Sequence, residues 1–280
     1  MTTSNKNPLV SVYISTYNRV DKLKRAISSV LNQDYSNVEV IICDDASTDG
    51  TQEYMEGLVN RTENIFYFRN EINKGACATR NLAIYNARGE FITGLDDDDE
   101  FKSNRISYFI SNWDERYSFL CANFTNVYAD LTSKNYYLGK QKELTYKDLL
   151  FHNEASNQIF TRTSKLRDIG GFDISVKRLQ DWDTWLRLSH KHGSFLRLSD
   201  STYIMHNDHS PTEMRVSNAS KITDSLSSLM KRNIGIYSQQ DRKYMNFLIS
   251  YLNQESGFCE SLYWGILKLN PRFIVKYFIN

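Results

Sequence analysis

The sequence predicts an α/β fold: a mostly parallel, Rossmann-like central sheet flanked by helices, followed by a helical C-terminal extension. Three observations carry this expectation. Four short apolar runs alternate with helix-period segments over the first hundred residues. Polar clusters follow the first, second and fourth of those runs, and beyond Ser217 no strand pattern remains. Alternation of this kind with short connections favours parallel strands covered by helices.

Val10 to Ser15 (VSVYIS) is apolar and β-branched, which suits a strand buried on both faces. Val20, Leu23, Ala26, Ile27, Val30 and Leu31 then recur at helical spacing. Val38 to Cys43 (VEVIIC) reads as a second strand, with Asp44 to Gly50 as the loop behind it. A helix through Met55 and Leu58 follows, then a strand at Ile65 to Phe68, a helix from Gly75 to Ala87 and a fourth strand at Phe91 to Leu95. The middle of the chain is mixed, with strands expected at Phe119–Val127, Gln158–Thr161, Phe195–Leu198 and Thr202–His206, and a helix from about Asp181 to Lys191. Apolar faces at Leu226, Leu229 and Met230, then at Tyr244, Phe247, Leu248, Tyr251 and Leu252, mark later helices. The expected division is residues 1–217 as the α/β domain, with halves 8–100 and 101–217, and 218–280 as the extension.

With 280 residues, 41% of them hydrophobic, the chain can bury a substantial core. Its 34 Lys+Arg balance 33 Asp+Glu, which lacks the basic footprint of a nucleic-acid binder. Only three prolines and 12 glycines argue against low-complexity segments. Cys43, Cys77, Cys121 and Cys259 are scattered without zinc spacing and read as buried, reduced thiols. Met1 to Pro8 has no apolar signal core, and no run approaches the ~18–20 apolar residues of a membrane span. The expected location is the cytoplasm, with contact at a membrane surface left open.

In open α/β sheets, ligands sit beyond the carboxyl ends of the strands, where these polar clusters fall. Asp96-Asp97-Asp98-Asp99 brings four carboxylates together, and a hard divalent cation, magnesium or manganese, would relieve their repulsion. The other reading is a solvated acidic turn before a helix near Ser103. Asp44 and Asp45 can accept a hydrogen bond from a nucleobase N–H while Tyr17 stacks on the ring; Ser47, Thr48 and Asp49 suit a turn and helix cap. Lys74-Gly75 and Arg80-Asn81 sit at a helix start that favours phosphate. Asp181, at the start of the helix that buries Trp182, Trp185 and Leu186, reads equally as an N-cap or as a general base for an acceptor hydroxyl. His206 and His209, after a strand, read as metal or phosphate ligands or as surface histidines.

Taken together, VSVYISTYNR (Val10–Arg19), IICDDASTDGT (Ile41–Thr51), NKGACATRNLA (Asn73–Ala83), GEFITGLDDDDEF (Gly89–Phe101) and QDWDTWLRL (Gln180–Leu188) resemble the family 2 glycosyltransferases of GT-A fold, over roughly residues 8 to 210. The resemblance implies a nucleoside pocket of Thr16, Tyr17 and Asp45, with Asp45 on the uracil of a UDP-sugar. It adds Arg19, Asp44, Lys74, Arg80, Asp96 and Asp97 as donor contacts. Asp96 and Asp98 become the DxD pair for Mn2+ or Mg2+, and His206, from its place after a strand, stays a candidate further metal ligand. Asp181 becomes the catalytic base of an inverting transfer. Gln180 departs from the Glu-Asp pair carried by many members, which puts acceptor positioning in doubt. The family's small bacterial members imply a polyprenyl-diphosphate-linked glycan acceptor in O-antigen or capsule synthesis.

The segment from Leu262 to Phe278 mixes aromatic, aliphatic and basic residues, and reads either as a membrane-surface segment or as packing. Two rival functions share the pocket. A nucleotidyltransferase would carry a glycine-rich loop where Thr16 to Arg19 stand, and a non-catalytic nucleotide-sugar scaffold has no need of every acidic candidate. GxGxxG and GxxxxGK[ST] do not occur, which disfavours dinucleotide and P-loop functions. No motif supports a serine or cysteine hydrolase.

Overall fold

The structure, a computed structural model, describes residues 7–278 apart from 129, 131, 138, 157, 208–221 and 276. His209 and the boundary expected at residue 217 lie outside the described residues. The chain divides into two compact units, residues 1–213 and 214–280.

The first unit follows the expected alternation: β1 (Val10–Thr16), α1 (Val20–Leu31), β2 (Val38–Asp44), α2 (Thr51–Val59), β3 (Ile65–Arg69), α3 (Ala76–Asn86) and β4 (Phe91–Asp96). It continues with β5 (Glu100–Phe101), α4 (Arg105–Asn112), β6 (Leu120–Tyr128), β7 (Ser133–Asn135), β8 (Lys142–Leu144), β9 (Ile159–Arg162), α5 (Thr163–Asp168), α6 (Gln180–His192) and β10 (Phe195–Asn207). One sheet runs β3-β2-β1-β4-β9-β6-β10-β5, with β7 on β6 and β8 on β10. The long pairs β1–β2, β1–β4, β2–β3 and β6–β10 are parallel, and the shorter strands add antiparallel pairs. Val10, Val12 and Ile14 of β1 are fully buried, as are Leu23 and Ala26 of α1. That is the core the apolar runs required. The register sets Thr16 against Asp44 and Ser15 against Asp96, so three polar strand ends share one edge.

Three local expectations change. The two late strands are one, β10, because register shifts between Leu198 and Tyr203 absorb the polar Ser199-Asp200 step without ending the pairing with β6. The helix expected from Gly75 starts at Ala76, since Gly75 sits at φ 85 as its N-cap. Cys259 is exposed; Cys43, Cys77 and Cys121 are buried.

Arg105 of α4 is fully buried, its guanidinium 4.6–5.1 Å from the ring centroids of Phe101, Phe109 and Tyr203. Burial pulls its pKa down to about 10, which leaves it protonated near neutrality. It donates to Thr202 Oγ1 at 3.0 Å and to the Gln158 carbonyl, tying α4 to β10 and to the residue before β9.

The second unit is helical: α7 (Ile222–Arg232), α8 (Gln239–Leu252), α9 (Phe258–Leu267) and α10 (Arg272–Val275). A capping box of Ser238 and Asp241 starts α8. Its core is aromatic: Trp264 lies 4.9 Å from Tyr244, and Phe273 lies 5.0 Å from Phe247. No helix among the described residues is long and apolar enough to cross a membrane.

Gly94 of β4 marks where the core allows no side chain. A Cβ there would stand 2.0 Å from Gln158 Oε1 and 2.5 Å from the Tyr13 ring. Gly94→Ala should therefore cost about 1–3 kcal/mol in chemical denaturation. An unchanged midpoint would show that Tyr13 and Gln158 can move aside freely.

Candidate active site at the strand ends

Thr16 Oγ1 donates to Asp97 Oδ2 at 2.7 Å, joining the end of β1 to the acidic run. Arg19 Nη1 bridges Asp97 at 3.1 Å and Asp98 at 3.0 Å, and Arg25 donates to the Asp98 carbonyl. The β1 and β2 loops clasp each other: the Asn18 amide donates to Ser47 Oγ at 2.9 Å, and the Thr48 amide donates to Asn18 Oδ1 at 2.7 Å. Asn18 and Ala46 hold left-handed backbones (φ 52 and 66), a strained geometry that ligand loops often keep. Asp49 accepts from the Val20 and Thr51 amides, so it supports both neighbouring helix starts, while Gly50 occupies the N-cap of α2.

Asp44 and Asp45 divide their labour. Asp44 is fully buried, accepting from Ser47 and from the Tyr67 hydroxyl at 2.7 Å, which places it beneath the loop and not on its surface. Asp45 accepts from Asn70 Nδ2 at 2.9 Å, the Lys74 amide at 2.7 Å and the Gly75 amide at 2.8 Å. Its carboxylate thus holds the loop that leads into α3. Tyr17 and Lys74 are exposed beside these buried neighbours.

The four carboxylates of the acidic run point to different partners. Asp96 Oδ1 accepts from Gln158 Nε2 at 3.0 Å and lies 3.3 Å from Arg80 Nη2. Asp97 and Asp98 share Arg19, while Asp99 accepts from the Tyr203 hydroxyl at 2.7 Å and the His206 amide at 2.9 Å. Burial pushes Asp97 up to about 6 against the opposing pull of Arg19, and burial with the charges of Asp96 and Asp98 lifts Asp99 well above the usual carboxylate range.

The metal set of Asp96, Asp98 and His206 expected from the sequence does not assemble. His206 Nε2 lies 2.7 Å from Glu100 Oε1, and no cluster of three potential ligands occurs among the described residues. Arg80 and Arg19 turn Asp96 and Asp98 toward different cations, and Glu100 claims the imidazole. Asp96 and Asp98 remain hard oxygen donors of the kind that magnesium and manganese take, ions whose other positions are commonly filled by substrate phosphates and water.

Asp181 is the second residue of α6, whose N-cap is Leu179 in a left-handed conformation (φ 58) without a side-chain cap bond. The N-cap reading of Asp181 is thereby overturned. Asp181 Oδ1 is buried without a hydrogen-bond partner, 3.6 Å from Arg80 Nη1. Burial pushes its carboxyl up to about 7, with Arg80 pulling down and Asp96 pushing up. Arg80 completes the set by donating to Gln180 Oε1 at 2.8 Å, with its guanidinium 5.2 Å from the Phe172 ring. Asn81 holds Phe172 by both its backbone amide (2.8 Å) and carbonyl (2.7 Å).

Gln158, Tyr203, Asn70 and Phe172 escaped the sequence reading as site residues. The signal for Gln158 was a polar residue heading the apolar run Ile159–Phe160. Nothing in the pattern marks the others, because their partners lie 9 to 107 residues away.

A family model described as "Glycosyl transferase family 2" matches residues 11–170. The WcaA protein of Escherichia coli K12, named for a glycosyl transferase of colanic acid biosynthesis, is 36% identical over 249 residues, 87% of this chain and 88% of that protein. A Campylobacter jejuni protein named GalNAc(5)-diNAcBac-PP-undecaprenol beta-1,3-glucosyltransferase is 35% identical over 51% of this chain and 48% of its own length. Among solved structures, Staphylococcus aureus TarS 1-349 in complex with UDP-GlcNAc aligns at TM-score 0.61 and 17% identity, covering 91% of this chain and 83% of that one. The Pyrobaculum calidifontis mannosyltransferase PcManGT with GDP-Man and Mn2+ aligns at 0.62 and 15% identity, covering 93% and 76%. Both likenesses are of fold, and that fold is GT-A.

Because Asp45 ties the Lys74 and Gly75 amides, Asp45→Ala should speed hydrogen exchange at both by at least ~10-fold. Unchanged protection would mean that the loop is held by other contacts.

Proposed function

The chain belongs to glycosyl transferase family 2, and from that premise we propose that it transfers a sugar, with inversion, from a UDP-sugar to a hydroxyl of a lipid-linked glycan in bacterial surface-polysaccharide synthesis. The observation that carries the reading is the placement of Asp181: its Oδ1 is buried without a hydrogen-bond partner, 3.6 Å from the Arg80 guanidinium that also meets Asp96 at the strand ends, and burial pushes the carboxyl up to about 7. Such a group accepts a proton near neutral pH, which is what activation of an acceptor hydroxyl requires.

In this reading the exposed Tyr17 stacks on the base. Thr16 and Arg19 keep Asp97 and Asp98 in place, and Asp44 and Asp45 shape the loops that line the nucleoside. Lys74, at the start of α3, and Arg80 face the diphosphate. Asp98 with Asp96 would hold the Mn2+ or Mg2+, which neutralises charge on the departing nucleoside diphosphate. Asp181 takes the acceptor proton, and Gln180 holds Arg80 against it. The C. jejuni relative, named for an undecaprenol-diphosphate-linked substrate, supports the lipid-linked acceptor. The TarS complex supports UDP-sugars, and the PcManGT complex supports manganese. The enzyme would then work in the cytoplasm, at the membrane face that presents the acceptor. Nucleotidyl transfer and a non-catalytic scaffold are disfavoured by the family and by the retained acidic set.

A thermal-shift screen of UDP, GDP, CMP, dTDP and ADP, with and without manganese, tests the donor site. UDP with metal should stabilise the protein by about 2.7 kcal/mol at a hundredfold excess over Kd, and Asp98→Ala should remove the metal dependence. A shift with GDP alone would reassign the base, and an unaltered manganese effect in the variant would move the metal to other ligands.

Asp181→Asn should preserve donor binding and lower transfer by at least ~10². A carboxyl near 7 is a base only above that pH, so kcat/KM should rise about tenfold per unit as pH climbs to about 7 and then level. Near-normal turnover in the variant, or a flat profile, would remove Asp181 from the chemistry.

A further inference from the structure

The helical unit holds a cleft of about 670 Å³ between α8 and α9, a volume in the range of small-molecule sites. From α8 it is lined by Gln239, Lys243 and Asn246, at i, i+4 and i+7 along one helical face, and from α9 by Glu260, Tyr263 and Trp264. The facing of α9 is set by α10, which packs on Gly265, where a Cβ would lie 2.9 Å from Ile274 Cδ1. Trp264 is the buried wall, 4% exposed, its ring 4.9 Å from Tyr244 and 6.0 Å from Phe247. A buried indole N–H usually finds an acceptor, yet that of Trp264 has none among the described residues. Tyr263 stands 56% exposed, its ring edge-on to Trp264 at 5.0 Å. The side chains of Gln239, Lys243, Asn246 and Glu260 likewise bond to no described residue, and Lys243 and Glu260 share the cleft without pairing.

We propose that this cleft binds a neutral saccharide, a pyranose glycan held away from the transfer chemistry. A pyranose offers an apolar C–H face and a rim of hydroxyls, each of which both donates and accepts. The Tyr263 ring matches the C–H face. The amides of Gln239 and Asn246 donate and accept, Glu260 accepts, and Lys243 and the Trp264 N–H donate. An anion is the poorer ligand. Lys243 and Glu260 cancel in charge, and the start of α8 is already met by the Asp241 carboxylate, which accepts from the Ser238 amide at 3.0 Å. An apolar ligand is poorer still, because it would cover polar groups that have no other partner. None of these residues belongs to the strand-end site; all lie in the second unit, so this binding goes beyond the transfer reaction.

Cellotetraose, chitotetraose and galactotetraose, presented one at a time to the full chain, test the site by saturation-transfer NMR and by tryptophan fluorescence. At least one should bind, with an affinity that high salt leaves unchanged, as for an uncharged ligand. Tyr263→Ala with Asn246→Ala should weaken that binding at least ~10-fold, through loss of a ring contact and a hydrogen bond. Both side chains are exposed, so circular dichroism should be unchanged, and so should the thermal shift with UDP. Equal affinity in variant and wild type would place the glycan elsewhere and overturn the proposal, as would no binding of any of the three at tens of millimolar. Binding of inorganic phosphate that Lys243→Ala removes would reassign the cleft to an anion and overturn it too. Glycan binding lost in the double variant while sugar transfer persists separates this site from the catalytic one; cleft binding in a protein that transfers no sugar sinks the transfer reading alone.

Discussion

Like charge crowded at one end of a sheet is the constraint on which the site depends. Asp96 to Asp99 and Asp181 meet where the strands end; two arginines hold four of them, and Asp99 goes to Tyr203 and the His206 amide. Arg80 stands between Asp96 and Asp181, while Arg19 takes Asp97 and Asp98. Arg80 is itself held by Gln180 and backed by Phe172, so it balances negative charge from a fixed position. Preorganised charge of this kind needs no rearrangement when a reaction moves negative charge onto a leaving group.

Much of the remaining architecture fixes those positions. The Tyr13 hydroxyl donates to Gln158, and Gln158 donates to Asp96, a relay that fits only because Gly94 has no side chain. Arg105 reaches the Gln158 carbonyl from the other side and packs on Tyr203, whose hydroxyl serves Asp99. Core packing and site geometry are therefore the same problem in this sheet. Burial also raises Asp97, Asp99 and Asp181, so the acidic edge binds protons more readily than free carboxylates do.

The fold was largely legible because its signals are local. Apolar runs such as VSVYIS and VEVIIC can bury both faces only in a covered sheet, and the helical periods between them leave few other topologies. β5, β7 and β8 were missed because two or three residues carry no period. The break expected between Leu198 and Thr202 failed because a strand can bulge through a polar step that looks like a turn. The site was legible in its charged members, since carboxylates at strand ends need a reason to be there. Gln158, Asn70 and Tyr203 were not, because an amide or phenol acquires its role only from a distant partner.

By itself, the sequence determined the order of elements, the edge at which polar groups collect and the identity of the charged residues. Those follow from periodicity and from the rule that strand ends meet on one side of a parallel sheet. Only the tertiary structure decided which charges pair. Asp44 goes beneath its loop, Asp45 goes to the α3 entrance, and His206 goes to Glu100 instead of joining Asp96 and Asp98. The outward face of α9 was likewise undecidable from its pattern, because which side of a helix is buried depends on the neighbour that approaches it. Pairing and facing are set by separations of a few ångströms between residues far apart in the chain, and spacing along the sequence carries no record of those distances.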